Sequence, residues 1–219
     1  MAGPDGTYRV HVGSQEFDIP LVEIADDLTI ALLISVDLGV GFAARAGAEL
    51  AAKLAPYEPE IVVSVATMGI PIAIEVTRAL GLDDYVILHK TPKIHLQDAI
   101  AEPVRSITTA SVQRLLFDRA RLAAVQGRRV AVVDDVISTG GSTKAALNLL
   151  RSVAAEPVVI GTLVTEGSHW RTFLGEDADL VRALGAIPLF RHAADGALVE
   201  DWEGGGGSTP ADAATAPGS

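Results

Sequence analysis

Cysteine is absent from this chain, which excludes disulfides, thiolate metal sites and a cysteine nucleophile together. Aromatic residues are scarce, at 5% of 219 residues, so few positions can offer ring stacking. Positive charge is in deficit: 17 Lys and Arg against 28 Asp and Glu leave a formal net charge of -11, with a pI near 4.8. Nucleic-acid binding draws on clustered Lys and Arg that displace counterions, so no nucleic-acid partner is expected. Long apolar runs are missing too. The most apolar window near the start, residues 28–36, is about nine residues long, far short of the roughly 20 that a membrane helix needs. The opening MAGPDGTYRV carries neither the basic start nor the apolar stretch of a secretory signal. These absences lead to the expectation of a soluble, cytoplasmic protein without a membrane partner.

What is present is a large apolar share, 49% of the chain, sufficient for a sizeable core in one domain. Residues 1–203 read as that domain. From residue 204 the chain runs GGGGSTPADAATAPGS, which has no large apolar side chain, so residues 204–219 are expected to form a disordered tail, native or an added linker.

Inside the body, short β-rich runs alternate with helical spacing. Residues 60–66 (EIVVSVA) form a β-branched apolar run, the mark of a strand buried on both faces. Residues 71–80 follow with helical spacing, Pro71 in the first turn and Gly81 just past the end. Further strands are expected at 85–88, 129–133, 158–164 and 186–190, and a helix at 144–154. This order predicts an α/β fold, a mostly parallel sheet flanked by helices. Two segments fall outside the alternation. Residues 8–23 alternate apolar and polar around Gly13-Ser14, as a small hairpin does, and residues 91–116, with Pro92 and Pro103, read as a long loop or extended hairpin.

The chemistry concentrates in residues 130–143, VAVVDDVISTGGST. A hydrophobic strand delivers Asp134 and Asp135 to its C-terminal end, where ligands of open α/β sheets bind. Gly140 and Gly141 let the backbone turn tightly toward a ligand, and Ser138, Thr139, Ser142 and Thr143 add hydroxyls. The helix that follows aims its positive dipole end into the turn, which suits a phosphate. Adjacent carboxylates suit a vicinal diol. A phosphate grip beside a diol grip describes a ribose 5-phosphate site. A P-loop would require a Lys before the final Ser or Thr, and a dinucleotide fingerprint would require three spaced glycines; neither occurs here.

The segment VAVVDDVISTGGST resembles the signature of type I phosphoribosyltransferases, which bind 5-phosphoribosyl 1-pyrophosphate (PRPP). The resemblance extends over about residues 55–190 in the order of elements, and it is of the purine, adenine type. It implies the fold of that family: a sheet flanked by helices, a small hood built from N-terminal residues and residues 165–203, and a flexible hairpin lid, within a phosphoribosyltransferase domain spanning 1–203. It implies that Asp134 and Asp135 hold the ribose hydroxyls and steady an oxocarbenium-like transition state, and that Ser138, Thr139, Gly140, Gly141, Ser142 and Thr143 cradle the 5-phosphate. Ala66, Thr67, Met68 and Gly69 match the pyrophosphate loop, which in the family often carries a strained or cis peptide; Met68 stands where Arg or Lys is common. Lys90 and Lys93 resemble the family's basic residues at the leaving group, and 105–116 resembles its lid hairpin.

For the base, Val136, Trp170 and Phe42 are the candidates; Glu166 and His169 read either as base-recognition groups or as ordinary loop residues, with the loop reading preferred. Ser138 stands where hypoxanthine-guanine enzymes usually place an Asp, which favours the adenine- or orotate-type reading. The cofactor implied is Mg²⁺, bound through PRPP oxygens and waters with indirect help from Asp134 and Asp135, and the family is usually a homodimer. The implied activity is transfer of 5-phosphoribosyl to a purine-type base with release of pyrophosphate, in purine salvage. Orotate, a 6-oxopurine or a 7-deazapurine as acceptor, and a non-catalytic PRPP-binding regulator, stand as alternatives.

Overall fold

In a computed structural model of the chain, residues 6–92, 98–104, 113–193 and 195–203 are described. Thr7–Val12 (β1) and Gln15–Ala25 (β2) form the expected hairpin, with Val12 paired to Gln15 across Gly13-Ser14. Leu28–Ala31 (β3) adds antiparallel to β2, and a 3-10 turn at Ser35–Leu38 leads into the helix α1, Gly39–Leu54. Then come Ile61–Val65 (β4), the helix Ile70–Ala79 (α2) and Tyr85–Leu88 (β5). Ala99–Val104 (β6) and Gln113–Asp118 (β7) pair antiparallel, followed by the short helix Leu122–Val125 (α3). Arg129–Ile137 (β8), Gly141–Ser152 (α4), Glu156–Glu166 (β9) and His169–Leu174 (α5) carry the chain onward. Val181–Ile187 (β10), Leu189–His192 (β11) and Leu198–Asp201 (β12) complete it.

The principal sheet has the order β10-β9-β8-β4-β5, and every neighbouring pair in it is parallel. Side chains alternate across a strand, so each central strand feeds two cores. Ala131 and Val133 of β8 join Val62 of β4 and the inner faces of α1 and α2 on one side. Val130 and Val132 join Ile61, Val63 and the apolar face of α4 on the other. Burial on both faces is why β4 is apolar at every position but Ser64, which is itself fully buried.

A second, antiparallel sheet, β1-β2-β3-β11-β12, draws from both ends of the described chain. The strand expected at 186–190 therefore spans a boundary. Ile187 ends β10 in the parallel sheet, and Leu189 begins β11 in the hood, paired with Ile30. The hairpin β6–β7 packs Val104, Leu115 and Phe117 against the α4 side, and it joins the sheet edge where His89 and Leu116 exchange backbone hydrogen bonds of 3.0 and 2.8 Å. It fulfils the hairpin reading of 91–116; residues 93–97 and 105–112 lie outside the described residues. No described helix is long and apolar enough to cross a membrane.

Candidate functional site

The site forms where β4, β5 and β8 end. A cleft of about 200 Å³ is lined by Ala66, Thr67 and Met68 after β4, Lys90 after β5, and Asp134 through Thr143, which run from the end of β8 through its turn into α4. Residues far apart in sequence meet there because parallel strands deliver all their C-terminal ends to one edge.

The β8 end is electrostatically uphill. Asp134 is pushed well above the usual carboxylate range by burial first and by the charge of Asp135 second. Asp135 is also raised by burial, although its bond with Asp134 and backbone N–H groups offset part of that. Its own backbone N–H donates to Asp134 Oδ1 at 3.0 Å, and its carbonyl accepts from Thr162 Oγ1 at 3.0 Å, which fixes the strand end against β9. Two adjacent carboxyls raised in this way gain from the hydrogen bonds that a diol would donate to them.

Beyond Ile137 the chain turns through Ser138 to Gly140. Gly140 has φ 82°, a left-handed conformation that glycine adopts without strain, and this turn starts α4. Gly141 N–H donates to Thr139 Oγ1 at 3.3 Å, and Lys144 N–H donates to the Gly140 carbonyl at 2.8 Å, the first full helical bond. Gly141, Ser142 and Thr143 of the first turn of α4 line the cleft, and a helix N-terminus of this kind suits an anion. The Lys144 side chain turns away, onto Asp177 at 2.8 Å and the Leu174 carbonyl at 3.0 Å.

The 66–69 loop lies directly against this strand end. The Ala66–Thr67 peptide is cis. A Cβ on Gly69 would sit 2.5 Å from Ser64 Oγ and 2.8 Å from Asp134 Oδ1, so only glycine permits the approach. Met68 is half-exposed at the cleft, and its carbonyl accepts from the buried Ser35 Oγ at 2.8 Å, a tie from the segment that leaves the hood.

Among the sequence candidates, Asp134, Asp135, Val136, Ser138 through Thr143, Ala66, Thr67, Met68 and Lys90 all line one cleft, and Gly69 stands directly behind it. Lys93 lies outside the described residues. Two base candidates are elsewhere. Phe42 is buried on α1, edge-on to Phe17 at 5.2 Å between centroids. Trp170 is 2% exposed in the core beside α4, and its indole N–H donates to the Gly167 carbonyl at 3.1 Å. Both aromatics are core because a large apolar ring is stabilised most by full burial.

Sequence reading misses two residues. Ser35 carries no motif. Glu166, read as a loop residue, is the last residue of β9, buried, and accepts a hydrogen bond from Ser138 Oγ. Burial pushes its carboxyl up from the usual range, and the Ser138 bond pulls it partly back. Its position at a strand end beside the motif strand is the signal that could have found it.

Among the described residues no group of three His, Cys, Asp or Glu could enclose a metal ion. The donor set at the β8 end is a pair of carboxylates, all oxygen and short of a full cage. That suits Mg²⁺, which keeps waters and shares substrate phosphates rather than entering an all-protein cage.

Comparison with known proteins agrees with this geometry. The chain is 31% identical over 116 residues to an orotate phosphoribosyltransferase of Caldanaerobacter subterraneus, covering 53% of this chain and 50% of that one. It is 31% identical over 111 residues to an adenine phosphoribosyltransferase of Rhodospirillum centenum, covering 49% and 60%. The chain thus spans about half the length of the curated relatives it matches. The crystal structure of an adenine phosphoribosyltransferase from Rhodothermus marinus matches with a TM-score of 0.60 at 20% identity, over 84% of this chain and 95% of that one, a likeness of fold. Residues 42–174, which contain the parallel sheet apart from β10 and the whole cleft, match the model of the phosphoribosyl transferase domain. The chain belongs to the phosphoribosyl transferase domain family.

Proposed function

We propose that this protein transfers the 5-phosphoribosyl group of PRPP to a purine-type nucleobase and releases pyrophosphate. The observation that carries the reading is the convergence of Asp134–Asp135, the Thr139–Thr143 turn and the 66–69 loop with Lys90 on one cleft. Each fits one part of PRPP. The N–H groups at the start of α4, with the hydroxyls of Thr139, Ser142 and Thr143, take the 5-phosphate. Asp134 and Asp135 accept hydrogen bonds from the ribose hydroxyls. The 66–69 backbone and Lys90 face the leaving pyrophosphate.

Little covalent chemistry then falls to the chain. Its residues hold the ribose so that the base nitrogen meets C1 as the bond to pyrophosphate breaks, and alignment of this kind supplies on the order of 7–11 kcal/mol in favourable cases. On this reading the carboxylate pair answers the positive charge that develops on the ribosyl ring, and Lys90 answers the negative charge on the leaving group. Mg²⁺, when bound, neutralises pyrophosphate charge, with Asp134 and Asp135 reaching it through PRPP and water.

The test is pyrophosphate release with PRPP, Mg²⁺ and a panel of adenine, hypoxanthine, guanine, orotate and 7-deazapurines. Release with an amino-purine at the highest kcat/KM is the expected result. Orotate leading the panel would move the acceptor to the pyrimidine reading. PRPP binding without release for any base would overturn the enzyme reading and favour a regulator, an outcome to which Met68, in place of a cation, gives weight. PRPP binding should also weaken steeply when a chelator removes Mg²⁺, measured by calorimetry. Tight binding in chelator would contradict the proposed site.

A further inference from the structure

The two flanks of β8 are chemically different. In the order β10-β9-β8-β4-β5, the 66–69 loop and Lys90 stand beyond β4 and β5, on one side of Asp134–Asp135. On the reading above, that side takes the leaving pyrophosphate. Displacement at C1 brings the nucleophile to the face opposite the leaving group. The base therefore belongs over the other flank, at the ends of β8 and β9.

The cleft wall there is Ser138, with Glu166 behind it at the end of β9. Ser138 Oγ donates its proton to Glu166 Oε2. Glu166 is 8% exposed, and no ion pair among the described residues joins it. With that bond made, the single proton of Ser138 is directed inward and its lone pairs are what remain for the cleft. A phosphate finds no countercharge at this corner, because the buried Glu166 carboxyl brings no cation with it. Ser138 thus parts company with Thr139, Ser142 and Thr143: its side chain suits a neutral base and not the 5-phosphate.

We propose that Ser138 and Glu166 together determine base specificity, as an acceptor-only corner that favours a base with an amino or N–H donor on that edge and disfavours a carbonyl there. The inference rests on the phosphoribosyltransferase reading, but its test needs no turnover. Ser138 touches the base; Glu166 acts through it and is a positioning residue.

The experiment is calorimetric binding of AMP and of IMP to the full chain with Mg²⁺, since the two nucleotides differ in donor against carbonyl at the base. Wild-type protein should bind AMP tighter by about tenfold to a hundredfold, the penalty of setting a buried acceptor against a carbonyl. Glu166→Gln offers an amide that donates to Ser138 and frees its proton to face the cleft, and Ser138→Ala removes the acceptor. Each should bring the AMP-to-IMP ratio within about threefold, and the double variant should go no further, as expected of a pair acting as one unit. Thermal melts of the variants check folding, and a ratio restored by Glu166→Asp would support the carboxylate itself. Equal wild-type affinities, or a ratio unchanged in both single variants, would overturn the proposal. Ribose 5-phosphate binding separates the two readings. If wild type binds neither it nor PRPP, the phosphoribosyltransferase reading falls. If it binds them and the AMP-to-IMP ratio is flat, only the corner falls.

Discussion

Asp177 and the Asp134–Asp135 pair are buried carboxylates in one domain, and their surroundings push them in opposite directions. Asp177, in the 3-10 turn after α5, meets Arg151 at 2.6 and 3.1 Å and Lys144 at 2.8 Å. Those cations, Arg151 first, hold its carboxyl below the usual range. Asp134 and Asp135 have only Lys90 as a cationic influence; burial raises both, and the charge of Asp135 adds to the rise at Asp134. The contrast separates two uses of one side chain. Asp177 is satisfied by the fold and clasps α4 to the turn after α5. The pair is hydrogen-bonded by the fold but given no ion-pair partner among the described residues, which leaves its carboxyls raised and open to a ligand.

The comparison can be broken most sharply by neutralising one member at a time. Asp134→Asn and Asp135→Asn should each depress pyrophosphate release by at least about tenfold, the scale of losing charge stabilisation in a transition state, while leaving the melting temperature equal or higher. A variant with near-native turnover would remove that residue from the site. Asp177→Asn should do the reverse, lowering stability by about 1–3 kcal/mol as Arg151 and Lys144 lose their acceptor, with the PRPP affinity of the folded fraction kept. Chemical denaturation read beside PRPP binding checks it, and an unchanged midpoint would mean that the clasp is idle.

The pH dependence of stability should carry opposite signs. Because the Asp177 carboxyl is lowered by folding, its contribution is present above the ordinary Asp value and is lost as pH falls through the lowered one. Because Asp134 is raised, its contribution in the ligand-free protein is present below the ordinary Asp value and is lost as pH rises toward the raised one. Melting temperatures across acid pH should therefore flatten on the acid side in Asp177→Asn and on the rising side in Asp134→Asn. Identical profiles for both variants would erase the distinction. Least affected should be Arg9→Ala. Arg9 pairs with Asp18 and Glu16 on the exposed face of the hood, where solvent screens the pairs, so no resolvable change in melting temperature is expected.

The legibility of this molecule follows how local each part is. The cleft-lining run from Asp134 to Thr143 was readable because β8, its turn and the start of α4 are one contiguous segment. β4 and β9 were readable because strands buried on both faces are dominated by β-branched apolar residues, with few polar positions such as Ser64 and Thr162 to blur them. The helix α1 was harder. Its buried positions, among them Phe42, Ala46, Leu50 and Leu54, have helical spacing, but Ala and Gly occupy so many of the others that the apolar face has weak contrast. The split at Pro188 was hidden because β11 is made by pairing with β3, whose residues lie at the far end of the chain. Glu166 was hidden for the same reason: its partner Ser138 is adjacent only once β8 and β9 lie side by side. Trp170 and Phe42 misled because rarity in a sequence says nothing about which way a ring points; both are core.

The tie between Ser35 and Met68 has a consequence for how a loop can be anchored beside an anion. Ser35 is the donor and the Met68 carbonyl is the acceptor. The loop is thus moored to the hood by its oxygen, the very group that would repel a negatively charged guest, and the mooring draws on none of the loop's own N–H groups. Anchorage and grip use opposite poles of the peptide, so strengthening one leaves the other at full capacity.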